Sequence, residues 1–341
     1  MMKRRTFILA CGSTAFASAS AAGGGDRLKI GQIGTEHAHA AGKMAAMRAL
    51  PELWEVVGVV AKEKGYEGVP TLTEEKLLGT PDLKAVAVET RMEDACATAL
   101  RCIEAGKHVH LDKPGALKHD EFKAMRLEAE KRGLTVQMGY MLRYNPAFEL
   151  LFQAVREGWL GEITEIDAAM GKLGDAKQRG ILGALPGGGL FELGCHVIDA
   201  VVTILGKPQG VTAFSTPTQG DGVKDNQMAV LQYAKATAVV RVNHADPFGG
   251  PRRRFNVTGT EGTFEILPME SGKVNLSLTK ARGSYKKGTQ SFQLEVPKDR
   301  YAGEFTDLAQ VVRGEKKLAW DAAHDISVHE TVMRAAGVWE G

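Results

Sequence analysis

"LKIGQIGTEHAHAAGKMAA", Leu28 to Ala46, runs a short, mainly apolar stretch into a glycine and then into a helical pattern. Such a run reads as a buried strand, a tight turn at Gly34 and a helix, the opening of a strand-helix-strand unit. Turns of this kind bind phosphate when further glycines let the backbone approach the ligand. Here Gly34 is followed by Thr35, Glu36, His37, Ala38 and His39, so the later glycines are missing. The stretch points to an α/β fold and leaves its ligand open.

Working outward, "EVVGVV" (55–60), "KAVAVE" (84–89), "HVHL" (108–111) and "TVQMGY" (135–140) repeat the buried-strand texture. Near-continuous apolar runs are what parallel strands covered on both faces require. Between them "MEDACATALRCIEAGK" and "KHDEFKAMRLEAEKRG" carry helical spacing and stop at Gly106 and Gly133. Ligands of such sheets sit at the carboxyl ends of the strands, so each strand exit is a candidate site. After Asn145-Pro146 the pattern changes. A helix over 147–158 and a strand over 162–170 lead to a long helical stretch over 190–205. The runs 227–234, 237–245, 253–259, 262–267 and 273–279 then follow as consecutive strands. Strands at this spacing suggest an antiparallel sheet. The expected organisation is an α/β domain over 26–145 and an α+β domain with a large, mostly antiparallel sheet over 146–341.

The first 25 residues read as an export signal and short linker. Lys3, Arg4 and Arg5 precede an apolar and small-residue stretch with A-x-A sites at Ala17 to Ala21. Paired arginines before Thr6-Phe7-Ile8 resemble the twin-arginine type, so a periplasmic or extracellular location is expected, with no stable membrane insertion once the signal is removed. Cys11 looks like a lipoprotein site, but the apolar stretch before it is short for one. Without the three basic leader residues, the 43 Lys+Arg fall to 40 against 41 Asp+Glu. A balance near −1 gives no electrostatic reason to bind nucleic acid or an anionic membrane. Three cysteines remain, Cys96, Cys102 and Cys195, too few for a disulfide framework, with the first two expected on opposite sides of one helix.

Two stretches carry candidate chemistry. In "GKHVHLDKPGAL" Lys113 stands just past a strand and before Pro114, which biases it toward extended backbone. A lysine partly desolvated at a strand exit would have a lowered pKa and could serve as acid or base. In "GGGLFELGCHVIDAVVTILGKP" Glu192, His196 and Asp199 recur at i, i+4 and i+7, which places all three on one face of a helix.

Together these stretches resemble the glucose-fructose oxidoreductase, inositol dehydrogenase and rhizopine-catabolism family, Gfo/Idh/MocA. The resemblance runs in order through "AGKHVHLDKPGAL", "MGYMLRYNPAF", "GGGLFELGCHVIDAV", "FNVTGTEGTFEI" and "YAGEFTDLAQVVRG". It implies a Rossmann domain holding NAD or NADP, a second domain whose sheet mediates homo-oligomerisation, and a sugar or polyol substrate. By the same resemblance Lys113 is the motif lysine near the reacting hydroxyl, Glu192 replaces an aspartate, and His196 accepts the proton. Arg143, Tyr144, Asn145 and Asp199 are the expected substrate contacts. The expected cofactor contacts are Gly34, Thr35, Glu36, His37, Lys62, Glu89, Thr90, Arg91 and Lys113.

Three cofactor positions depart from the family. Glu36 replaces the second glycine and would repel phosphate. Ala61 stands where a ribose-binding acid is expected, which with Lys62 suits a 2′-phosphate. Thr90-Arg91 replaces a Pro-Asn pair, and Arg91 could supply charge to the pyrophosphate. A redox-neutral lyase, glycosidase or epimerase with tightly held NAD(P), or a carbohydrate-binding protein with an abandoned cofactor site, are the alternatives. The H-x-H pairs His37/His39 and His108/His110, with Glu36 and Glu89 nearby, have the composition of a divalent-metal site. The family often has histidine at the His108 position without metal, and none is expected here.

Overall fold

The computed structural model describes residues 27–338; the stretch expected to be an export signal, Cys11 included, lies outside them. Parallel strands β1 (Leu28–Ile33), β2 (Trp54–Val60), β3 (Leu83–Val88), β4 (His108–Leu111) and β5 (Val136–Met138) form a sheet ordered β2-β1-β3-β4-β5. Beyond β2, Thr71 makes a single parallel bridge to Val59. The strand order reverses between β1 and β3, and the crevice at that reversal is where α/β sheets bind ligands.

Helices α1 (Ala40–Arg48), α2 (Glu74–Leu78), α3 (Met92–Glu104) and α4 (His119–Lys131) connect these strands. The buried stripe of α3 includes Ala95, Cys96, Ala99, Cys102 and Ile103. Cys96 and Cys102 therefore flank one buried stripe rather than occupying opposite sides. A side chain six positions along a helix comes only partway round to the opposite face.

The second unit begins with α5 (Pro146–Arg156). Asn145 caps it by accepting the Ala147 N–H at 2.9 Å, and Pro146 fills the first turn, where no N–H is needed. Strand β6 (Ile163–Gly171), helix α6 (Ala176–Ala184), a π-helical turn over Leu190–Gly194 and helix α7 (Cys195–Leu205) follow. Strands β7 (Gly210–Thr216), β8 (Asn226–Gln232), β9 (Thr237–Asn243), β10 (Arg254–Gly259), β11 (Gly262–Ile266), β12 (Lys273–Leu278) and β13 (Gly288–Gln293) complete the large sheet, ordered β13-β12-β11-β10-β6-β9-β8-β7. Its pairings are antiparallel except β6 with β9. Alternate residues of β8, β10 and β12 are buried, so one face carries the core. Phe148 of α5 packs edge-on against Phe255 of β10 at 5.1 Å, and each such buried ring contributes about 1.5–3 kcal/mol.

Two final helices tie the units together. Helix α8 (Ala302–Val312) puts Tyr301, Phe305 and Leu308 into the same core as Ile30, Met44 and Trp54. The Trp54 indole N–H donates to the Phe305 carbonyl at 3.0 Å. Helix α9 (Ala322–Ala335) lies against α4 and α7.

Candidate active site

Asp112 and Lys113 leave β4 at its carboxyl end, and both side chains are buried. The Lys113 ammonium donates to the Glu192 carbonyl at 2.6 Å and lies 3.5 Å from its carboxylate Oε1. Burial alone would lower the Lys113 pKa, but Glu192, together with Cys195 and Asp112, outweighs it and the net shift is upward. This differs from the lowered value expected of a desolvated lysine. The reason is the carboxylate that burial brought with it. Lys113 is a fixed cation.

The same pairing acts on Glu192: burial opposes its charge, yet Lys113 holds its carboxyl well below the usual range. Glu192 also faces Lys172 at 3.7 Å and His244 at 3.6 Å. His196, one α7 turn on, is buried with Nδ1 lacking a hydrogen-bond partner. Burial first, and then the Lys113 charge, push its pKa well below 6.5, so the imidazole is neutral. A neutral imidazole beside a fixed ammonium can take a proton while the cation steadies the oxygen left behind. Burial pushes the neighbouring Cys195 thiol up to about 12, which removes a thiolate nucleophile from this chemistry.

The expected single helical face over Glu192, His196 and Asp199 is broken by the π-helical turn. Glu192 turns toward Lys113, whereas the buried Asp199 accepts both arms of Arg143 at 3.0 and 2.7 Å. Arg143 also donates to Asp325 at 2.6 Å. Tyr144 donates to Asp307 at 2.8 Å, and Asn145 caps α5. These partners engage Arg143, Tyr144, Asn145 and Asp199 in joining helices. Arg143 and Tyr144 also border a separate cavity of about 930 Å³ lined by Phe152, Trp320 and His324.

At the other end of the crevice a cavity of about 290 Å³ opens at the exits of β1, β2 and β3, lined by Gly34, Glu36, Lys62, Thr90 and Thr98. Gly34 has φ +94°, and a Cβ there would sit 2.5 Å from the Thr90 nitrogen, so this first glycine is required. Glu36 accepts the Thr35 N–H at 2.7 Å and pairs with Lys62 at 3.4 Å. Its charge is thus largely answered. Arg91 turns to Glu93 and Asp94, at 3.0 and 3.3 Å, and the cations bordering the cavity are Lys62, which also reaches Asp94 at 3.3 Å, and Arg101, which is paired with Glu74. The size, the missing Cβ and the hydroxyls fit the ribose groups of a dinucleotide, and the charged lining is mixed, with Lys62 and Arg101 against Glu36, Glu74, Glu93 and Asp94.

Between these ends lies a charged cluster that sequence reasoning missed in part. Lys43 of α1 is fully buried; its ammonium lies 2.7 Å from His110 Nε2, 3.1 Å from Asp112, 3.4 Å from Glu89 and 3.7 Å from Glu304. Gly139 makes room for it, since a Cβ there would lie 2.5 Å from Nζ. Burial is outweighed by the carboxylates and Lys43 stays charged. His37 is raised to about 9 because Asp112 and Glu89 overcome its burial. Lys43 reads in the sequence as an ordinary exposed helical lysine, and its spacing of four from His39 is the one local signal.

Burial also depresses two histidines away from the crevice mouth, His110 to about 3 and His329 to about 4. Below pH 6.5 the unfolded chain protonates both and the folded chain does not. Stability is therefore expected to fall on acidification from pH 6.5 toward 4, by about 1.4 kcal/mol per pH unit for each histidine once pH is well below 6.5. Urea denaturation at pH 7 and pH 5 checks this, and His329→Gln should remove its share of the slope. Equal stability at the two pH values would contradict the assignment.

Comparison with known proteins identifies the family and the fold. Residues 28–140 match the oxidoreductase family with NAD-binding Rossmann fold, and residues 148–265 match the GFO/IDH/MocA C-terminal domain. A Bos taurus trans-1,2-dihydrobenzene-1,2-diol dehydrogenase is 31% identical over 47% of this chain and 48% of its own. A Bacillus subtilis scyllo-inositol 2-dehydrogenase (NADP(+)) is 26% identical over 71% of this chain and 65% of its own. The chain spans about half the length of the first curated relatives it matches. A levoglucosan dehydrogenase solved with NADH and levoglucosan has the same fold, with TM-score 0.79, 18% identity and coverage of 92% of this chain and 97% of that one.

Proposed function

The chain belongs to the Gfo/Idh/MocA oxidoreductase family, and on that premise we propose that it is an exported NAD(P)-dependent oxidoreductase acting on a sugar or polyol hydroxyl. The observation that carries this reading is the Lys113 ammonium, held by Glu192 in the crevice that also contains the buried, neutral His196. His196 takes the hydroxyl proton. Lys113 donates a hydrogen bond to the oxygen as it becomes an alkoxide, and Glu192 fixes Lys113 for that task. Gly34, Lys62, Thr90 and Thr98 would hold the dinucleotide, which supplies a hydride acceptor when bound. The scyllo-inositol and levoglucosan named for its relatives support a polyhydroxylated substrate.

Titrating nucleotide-stripped protein with NAD and NADP in a calorimeter tests the cofactor. Glu36→Gly removes a negative charge beside the phosphate turn and leaves Lys62 with Asp94 as its one remaining acidic partner, so binding should tighten about tenfold, ~1.4 kcal/mol at low salt. Lys62→Ala should weaken NADP more than NAD, because Lys62 is a cation bordering the cavity within reach of a 2′-phosphate. If wild type and both variants bind neither nucleotide, the reading fails. Net reduction of added NAD(P) with a sugar or polyol separates a dehydrogenase from a redox-neutral enzyme that keeps its cofactor.

The proposal includes export by the twin-arginine route, supported by Arg4-Arg5 and the small-residue cleavage sites. Among the described residues no helix is long and apolar enough to cross a membrane. Replacing both arginines with lysine should retain precursor in the cytoplasm on cell fractionation, because the receptor reads the paired guanidinium groups. Normal export of that variant would remove this part of the reading. Self-association through the half-exposed face of the large sheet belongs to the same proposal.

A further inference from the structure

Three strand exits of the first sheet converge on one small volume. His37 and His39 come from the turn after β1, Glu89 from the end of β3 and Asp112 from the end of β4. Both imidazoles direct Nδ1 at the same oxygen, Asp112 Oδ2, from 3.0 and 2.9 Å. The three atoms all lie within 4.8 Å of one another. Donor atoms bound at about 2.0–2.2 Å around a tetrahedral ion stand roughly 3.3–3.6 Å apart. An ion could enter this triangle with small side-chain movements.

A second, independent observation concerns charge. Glu89 and Glu304 are buried, and neither carboxylate accepts a hydrogen bond; Glu89 Oε2 lies 3.6 Å from His37 Nδ1. With Asp112 they make three buried carboxylates around a single buried ammonium, Lys43. Buried carboxylate oxygens without a hydrogen-bond partner are costly, and those of Glu89 border the same volume as the two imidazoles and Asp112, where a bound cation would give them a partner.

We propose that His37, His39 and Asp112 bind one divalent first-row transition-metal ion, with Glu89 completing the protein ligands. Two imidazole nitrogens with carboxylate oxygens suit Zn²⁺, Co²⁺ or Mn²⁺, whereas Mg²⁺ and Ca²⁺ favour sites built from oxygen. The His37 and His39 side chains keep 10% and 20% of their surface exposed, which leaves the ion an approach. Lys43 takes the place a second ion would need, since it already lies between Asp112 and Glu89. The site needs no bound dinucleotide, so it stands or falls separately from the oxidoreductase reading.

The test is a Co²⁺ titration of the chelator-treated full-length protein, followed by its visible absorption. One equivalent should give a saturable band that Zn²⁺ displaces and millimolar Mg²⁺ does not. His37→Ala and His39→Ala should each weaken binding at least about 100-fold, while His108→Ala, at the other H-x-H pair, should leave it unchanged. Circular dichroism reports whether each variant is folded. If the alanine variants do not fold, wild-type Co²⁺ protein should show two paramagnetically shifted, exchangeable imidazole N–H signals, one for each Nδ1-ligated ring. Absence of a Co²⁺ band, a band retained in folded variants at both positions, or absence of the shifted imidazole signals would overturn the proposal.

Discussion

Lys113→Met and His196→Ala are each expected to lower turnover by about 10²- to 10⁴-fold, the usual contribution of a positioned acid or base. That corresponds to roughly 2.7–5.4 kcal/mol of transition-state stabilisation. The two variants should fail differently. Removing His196 deletes the proton acceptor, so rate should recover in part with added imidazole or as pH rises and hydroxide takes its place. Removing Lys113 deletes the charge that steadies the alkoxide. It also leaves Glu192 without its first partner, and Lys172 and His244 are then the groups left facing that carboxylate. His196 should become easier to protonate in Lys113→Met, because the Lys113 charge now helps hold it neutral. The acidic limb of the rate profile should therefore move to higher pH in that variant. Wild-type turnover in both variants, measured on folded protein with saturating nucleotide, would remove the assigned roles.

Much of the fold was legible because burial leaves a plain mark on sequence. The strands of the first sheet are covered on both faces, so most of them read as short, mainly apolar runs. Strands β7 and β13 were not anticipated from "GVTAFST" and "GTQSFQ", whose residues are largely exposed at the two edges of the large sheet. The return of α8 to the first unit was equally hidden. Its Phe305 and Leu308 show that one face is buried, but not that Ile30 and Trp54 lie beneath it. The site divides the same way. Lys113, Glu192 and His196 stand in motifs whose spacing can be read directly, whereas Lys43 and Glu304 meet only through the packing of α1 and α8 around β4. The π-helical turn was invisible to a rule based on 3.6 residues per turn, and it sends Glu192 and Asp199 to different partners.

Arg143→Met is expected to destabilise the protein by about 3–5 kcal/mol at pH 7, the range found when one partner of a buried ion pair is removed. Arg143 is fully buried with its guanidinium between the rings of Tyr140 and Trp320, at 4.9 and 4.7 Å. It joins Asp199 of α7 to Asp325 of α9, and Arg126 of α4 reaches Asp325 from the other side at 2.8 Å. Burial would raise the Asp199 pKa, but Arg143 and His324 hold it at about 2. That depressed value contributes stability above the unfolded pKa near 3.9, and the contribution is lost as pH falls toward 2. The deficit of the variant should accordingly narrow below pH 4, where its Asp199 can be neutral. Arg143→Met/Asp199→Leu should regain part of the loss, since an apolar pair avoids the stranded carboxylate, whereas Arg143→Lys keeps the charge but not the two-armed grip. Guanidinium denaturation at pH 7 and pH 3.5 measures each of these. A substrate contact would behave otherwise: Arg143→Met would then raise KM and leave the denaturation midpoint within error of wild type. That result would move Arg143 from the joint between the helices to the substrate.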